Sequence, residues 1–323
     1  MFGPRYLFDL CRRDPGNQRR FDPLRWRGCL PEVRSGEAHR KELTKNMNKP
    51  HWVCLTFDFD AICVWLASHY GQTPARFSRG EYGARVAVPR ILSLLKKYDL
   101  PATFFVPGHT VESFPETFDE ILAAGHEIGH HGYGHEDPSE QTPEQERESM
   151  ERGLEVLEKF TGRRPVGYRS PSWDYSFQTL PLLVEYGFHY DSSLFGDDFH
   201  PYHPRIGDQV SLDQPLQKGT EVSLWEIPVD FSLDDWPHFT FDFNSPRPGL
   251  SAPSKVFEIW AGDLDYMVDH EASGVLTLTM HPQVIGRGHR MLLLERFICY
   301  ALKKDTVQFA RMGDYVRQLD GAE

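Results

Sequence analysis

Trp52-Val53-Cys54-Leu55-Thr56-Phe57-Asp58-Phe59-Asp60 is a nearly unbroken apolar run that ends in two carboxylates. A short run of this kind reads as a strand buried on both faces, as in a parallel sheet, and its polar end marks where the chain leaves the core. Downstream, residues 86–97 show a helical period with Val86, Ile91, Leu94 and Leu95 on one face, and Ala102-Thr-Phe-Phe-Val106 is a second strand. Ser113-x-x-Glu116 predicts a capping box opening a helix that runs to about residue 124. Thr142-Pro143-x-Gln145 predicts a second box, with proline at the first helical position and an end near Gly162. Further strands are expected at 166–169, 190–194, 224–229 and 275–280, with helices around 255–268 and 291–303. Repeated strand–helix alternation predicts an α/β fold with a parallel sheet and helices outside.

Length and charge bound the rest. The 323 residues, 40% hydrophobic, suffice for one large α/β domain. Residues 1–50 carry a net charge of +6 and the remainder −18, for a total of −12. The acidic body argues against nucleic acid or an anionic membrane as main partner. No apolar run spans a bilayer, and the N-terminus lacks an apolar signal core, so a cytoplasmic location is expected. Cys11, Cys29, Cys54, Cys63 and Cys299 form no CxxC pair, which fits reduced thiols. Residues 1–46 are rich in Arg, Gly and Pro and show no sustained period. They read as a disordered tail, a transit-type extension or non-native sequence upstream of Met47, with a catalytic body at 47–323.

Polar residues recur at the ends of the expected strands: Asp58 and Asp60, His131 and His135, Arg169, and His281. In a parallel α/β barrel those ends converge on one face, where active sites are built. The spacing His131-Gly-Tyr-Gly-His135 puts two imidazoles on one side of a turn or helical start, as suits one cation. His126 and His130 fall on the approaching strand and read as structural or supporting residues. Asp58 and Asp60 project to the same side if the chain is extended, and two such carboxylates need a cation or an arginine between or beside them. One can bind metal while the other accepts a proton. Arg169 would steady the aspartate that is not on the metal, and His281 would protonate a departing amine. Each also has a plainer reading: chance histidines on a loop, capping aspartates, a surface ion pair, a structural histidine.

Taken together and in this order, the motifs resemble the polysaccharide deacetylase family, also called the NodB-homology or carbohydrate esterase 4 group. The strand ending T-F-D-D is here Thr56-Phe57-Asp58-Phe59-Asp60; H-(S/T)-x-x-H is His131-Gly-Tyr-Gly-His135; R-x-P is Arg169-Ser-Pro171; and the last strand ends at His281. The D-x-D spacing, Phe105-Val-Pro-Gly-His109 and Tyr190-Asp-x-Ser-Leu194 are similar to a branch that includes peptidoglycan-deacetylase-like proteins and cyclic imide hydrolases. The resemblance implies an irregular parallel (β/α) barrel and a homo-oligomer. It implies a divalent metal, usually zinc, on Asp60, His131 and His135, with Asp58 as general base, Arg169 as its partner and His281 as general acid. Pro171 and Trp173 would line the substrate site. In the segment from Phe195 to about residue 210, Phe199 and Tyr202 are further substrate-facing candidates, an inter-subunit contact being the alternative. Asp234 or Asp235 would orient His281 or Arg169, or cap a loop.

The implied reaction is hydrolysis of a non-peptide C–N bond in a small molecule or oligosaccharide. N-deacetylation of an acetylated amino sugar comes first, and hydrolysis of a cyclic imide or a ureide such as allantoin comes second. A metal-free hydrolase and a catalytically inactive carbohydrate-binding barrel are the remaining alternatives.

Overall fold

The structure is a computed structural model that describes residues 49–67, 71–241 and 250–321; the extension expected at 1–46 lies outside them. In chain order the strands are β1 (His51–Asp58), β2 (Thr103–Val106), β3 (Glu127–His130), β4 (Gly167–Tyr168), β5 (Tyr190–Asp191), β6 (Arg205–Ile206), β7 (Thr220–Glu221), β8 (Trp225–Glu226), β9 (Gly274–Met280) and β10 (Val307–Phe309). The quoted run is β1, buried at every position except the half-buried Trp52. It is central: β9 pairs along one edge from His51 to Phe57, while β10 and β2 share the other edge, at His51–Val53 and Thr56–Asp58. Beyond β2 the sheet continues through β3, β4, β5 and β8, all parallel. A chain paired on both sides and covered on both faces has no polar position to fill, hence the near-continuous apolar sequence.

The sheet curls into a half-barrel with helices around it, the irregular (β/α) barrel expected. No named strand joins β8 to β9 among the described residues. That gap is crossed by the turn Phe231–Leu233 and by Asp234, which bridges Thr279 in parallel. β6 and β7 form a separate antiparallel hairpin between β5 and β8. The expected strands at 166–169, 190–194 and 224–229 shrink to two-residue pairings. No helix among the described residues is long and apolar enough to cross a membrane. Cys54, Cys63 and Cys299 are free thiols.

The helix Pro143–Thr161 starts and stops where its sequence dictates. Thr142 accepts from the Gln145 amide, Gln145 reaches back to the Thr142 N–H, and Gly162 closes the end in the left-handed conformation (φ 70°). Thr142→Ala is expected to cost about 1 kcal/mol, read as a lower urea midpoint at unchanged slope; an unmoved midpoint would show the cap to be idle. The box at Ser113 does not form. Pro115 takes the first helical position of Pro115–Ala123, so Phe114 becomes the cap, and the Ser113 hydroxyl lies 3.2 Å from His109 Nδ1 instead. The helix expected at 86–97 is Val88–Tyr98, preceded by a π-turn at Gly83–Ala87. That wider turn rotates the buried face onto Val88, Ile91, Leu94 and Leu95 and leaves Val86 half-buried.

Candidate active site

The C-terminal ends of the parallel strands converge, and the polar residues that end them meet. Asp58 closes β1, and the Phe59 N–H still donates to Phe105 O beside it, at 2.8 Å. Only then does the chain turn, at Ala61 with φ 49°. The Asp60 carbonyl is pinned by Cys63 N–H (2.9 Å) and the Thr110 hydroxyl (2.6 Å). Asp58 and Asp60 therefore both remain at the strand mouth, fully buried.

His131 and His135 come together through a tight loop rather than through a helical turn. Gly132 (φ 71°) and His135 (φ 67°) both take the left-handed conformation, and the two rings sit edge to face with centroids 5.0 Å apart. His130 braces this loop from inside β3. Its Nδ1 accepts the Gly132 N–H (3.2 Å), its Nε2 faces Met150 O (3.0 Å), and burial depresses its pKa to about 3. His126 contacts the Phe104 ring.

Asp60, His131 and His135 form a metal-competent donor set, with ligand atoms within 4.8 Å of one another. His131 Nδ1 donates to the Arg169 carbonyl at 2.8 Å, which leaves Nε2 as a lone pair pointing at Asp60 Oδ1, 3.5 Å away. Both atoms are buried without a hydrogen-bond partner. Two buried acceptors facing each other suit a positive centre between them, and Asp/His/His is a donor set suited to a divalent cation such as zinc. His135 Nε2 stands 3.9 Å from the same oxygen. Burial opposes ionisation of Asp60, but His135, His131 and His281 outweigh it and hold its carboxyl at about 2. Asp234, Asp235 and His281 are a second such cluster, yet there the atoms satisfy one another.

Flanking the first cluster are two ion pairs. On one side Arg169, fully buried, donates from Nη1 to Asp58 Oδ1 (2.7 Å) and Thr56 Oγ1 (2.8 Å), and from Nε and Nη2 to the Ser192 carbonyl (3.0 Å) and hydroxyl (2.9 Å). Its guanidinium also lies over the Phe105 ring at 4.3 Å. Asp58 Oδ2 is left 3.9 Å from His131 Nε2. On the other side His281 Nδ1 donates to Asp235 Oδ1 (2.8 Å), and both Asp235 oxygens accept the His281 N–H (3.1 Å). Asp234 caps the Trp236 N–H and stands 3.5 Å from His281 Nδ1. Burial disfavours the imidazolium, but Asp234 and Asp235 overcome it and raise the His281 pKa to about 10. His281 Nε2 points at Asp60 Oδ2 from 3.9 Å. The site thus offers a carboxylate on one flank and a protonated imidazole on the other.

Of the two aspartates considered for His281 or Arg169, Asp235 takes His281, and the hydrogen bonds of Arg169 go elsewhere. Pro171 packs against Gly132, within 3.3 Å of where a side chain there would begin. Trp173 (φ 54°) packs edge to face on Phe195 and tilted against Phe231, both of them exposed. Phe199 is a correction. It is buried in the core against Tyr266, and its carbonyl accepts from Val275 N–H at the start of β9, the strand end opposite His281. Tyr202 anchors its own loop: its backbone exchanges hydrogen bonds with Glu226, and its hydroxyl accepts the Gly196 N–H (3.0 Å). Thr56, which opens the T-F-D-D-like motif, joins the site, as do Ser192 and Gln283, which nothing in their sequence context singles out; Gln283 donates to Asp60.

Comparison with known proteins agrees with this arrangement. The sequence model of the family described as polysaccharide deacetylase matches residues 45–190. A peptidoglycan deacetylase from Helicobacter pylori is 38% identical, covering 83% of this chain and 96% of its own. A crystal structure from Mycobacterium smegmatis assigned as a polysaccharide deacetylase superposes with TM-score 0.74 at 36% identity, over 85% of this chain and 91% of that one. A Puue allantoinase structure superposes with TM-score 0.65 at 27% identity, over 82% and 89%. With the strand-end carboxylates, histidines and arginine in place and a relative of this identity matched along nearly its whole length, the chain belongs to the polysaccharide deacetylase family of C–N bond hydrolases.

Proposed function

We propose that the protein is a metal-dependent hydrolase that removes the acetyl group from an N-acetylated amino sugar or oligosaccharide. The observation that carries this reading is the facing pair of orphaned buried acceptors, Asp60 Oδ1 and His131 Nε2, set between the Asp58–Arg169 and His281–Asp235 pairs. Asp60, His131 and His135 would hold the cation. When bound, it would polarise the amide carbonyl and make water more acidic. Asp58 accepts a proton from the attacking water, and Arg169 keeps that carboxylate oriented. His281, protonated and aligned by Asp235, gives its Nε2 proton to the departing nitrogen, so the amine leaves neutral. Pro171 and Trp173 line the approach.

Acetylated sugars come first because the H. pylori relative, matched over most of both chains, is a peptidoglycan deacetylase. A cyclic ureide or imide is the second reading, favoured by the likeness to an allantoinase at 27% identity. Both substrates present an amide carbonyl to the same groups. A hydrolysis panel of N-acetylglucosamine oligomers, succinimide-type rings and allantoin separates them. Turnover of the oligomers alone supports deacetylation, and turnover of the rings alone transfers the assignment to the second reading. Activity should vanish on chelation and return with zinc. Turnover that survives complete chelation would remove the metal from the reading.

A further inference from the structure

The turn after His281 carries an amide that neither the ligand set nor the acid–base pairs use. Gln283, in the short helix Pro282–Ile285, is buried, and its Nε2 lies 3.3 Å from Asp60 Oδ2. Its Oε1 has no donor among the described residues. The amide nitrogen donates and the carboxylate oxygen accepts. Asp60 Oδ2 is thereby engaged by Gln283, while Oδ1 faces His131 and His135 with no hydrogen bond of its own.

The fold holds this amide in place from behind. Gln283 packs on Gly83, the first residue of the π-turn Gly83–Ala87, where a Cβ would stand 3.2 Å from the Gln283 Cβ and 3.3 Å from its Oε1. Three residues earlier a Cβ on Gly80 would lie 2.6 Å from the backbone of Ala61, next to Asp60. Tyr82 and Arg90 both donate to the Gly286 carbonyl, at 2.7 and 3.0 Å. One helical segment with an irregular turn therefore presses on both partners of the Gln283–Asp60 contact. Single π-turns inside helices recur at functional sites, where they place a side chain that a regular helix would misplace.

We propose that Gln283 is a positioning residue that fixes which oxygen of Asp60 meets the metal. It holds Oδ2 so that Asp60 offers Oδ1 alone, and Gly83 keeps the amide against it. This rests on the metal-hydrolase reading above. Removing a side chain that orients a ligand weakens metal affinity by about 10–100-fold. Gln283→Met keeps the volume and deletes the donor, and should show that loss for zinc, read by competition with a chromophoric chelator. Loaded with cobalt(II), it should also show altered visible bands, because Asp60 is no longer held at Oδ2. Gly83→Ala, whose backbone there is ordinary helix (φ −53°), crowds the amide without touching Asp60 and should move both readouts the same way. It carries the test if the methionine variant does not fold. Affinities and cobalt spectra indistinguishable from those of the unaltered protein in both variants would overturn the inference while leaving the metal site standing. Failure of the unaltered protein to bind either metal would overturn the metal reading, and this inference with it.

Discussion

Asp58→Asn is expected to lower kcat by about 10²–10⁴-fold, the usual worth of a positioned general base. The replacement has the same shape and keeps an acceptor beside Arg169 but leaves that guanidinium without its counter-charge, so folding is checked alongside turnover. What it removes is the carboxylate tied to Arg169. Its Oδ2 faces the cluster from 3.9 Å. Asp60 cannot substitute, because it is one of the three groups that would hold the cation. The measurement is kcat with zinc content determined on the same sample. Full turnover at full metal content would remove Asp58 from the mechanism.

Arg169→Met should have the largest effect on stability. It deletes the 2.7 Å ion pair that Asp58 makes in a buried site, and strips donors from Thr56 and Ser192. Breaking one side of a buried ion pair leaves the other charge uncompensated, at a cost of about 3–5 kcal/mol. Urea unfolding reads this directly. The double variant Asp58→Asn/Arg169→Met should recover part of the loss, because the stranded charge is gone. A single variant as stable as the unaltered protein would mean that Asp58 is held by something other than Arg169.

The architecture was legible because a parallel sheet writes itself as apolar runs, and because several of them stop at a chemically active residue. β1, β2 and β9 fall where the sequence puts them, and Thr142 caps as its box requires. Local signals misled where a neighbour competed: Pro115 displaced the cap from Ser113, and a π-turn no propensity encodes shifted the face of the following helix. At the candidate site, strand-end position singled out the titratable residues. It could not choose between Asp234 and Asp235, which differ by one step along the chain but by a whole hydrogen-bond geometry at His281. Gln283 and Ser192 escaped because uncharged residues in a loop or short helix carry no periodic mark. Phe199 was misplaced for a related reason: an aromatic beside Asp and His suits a polar ligand, yet it also suits a core, and only Tyr266 and β9 decide.

His135 holds the left-handed turn at φ 67° with a full side chain attached. A residue held this way costs about 1–3 kcal/mol relative to an unstrained one, and glycine or asparagine would occupy the turn more easily. Selection for folding alone would therefore erode this histidine. A duplicated copy of the chain, released from its reaction, gains stability by discarding it, and descends towards a sturdier barrel that has forgotten its chemistry. An imidazole at 135 is thus placed at the expense of fold stability, and His135→Gly should unfold at higher urea while losing a donor to the cation.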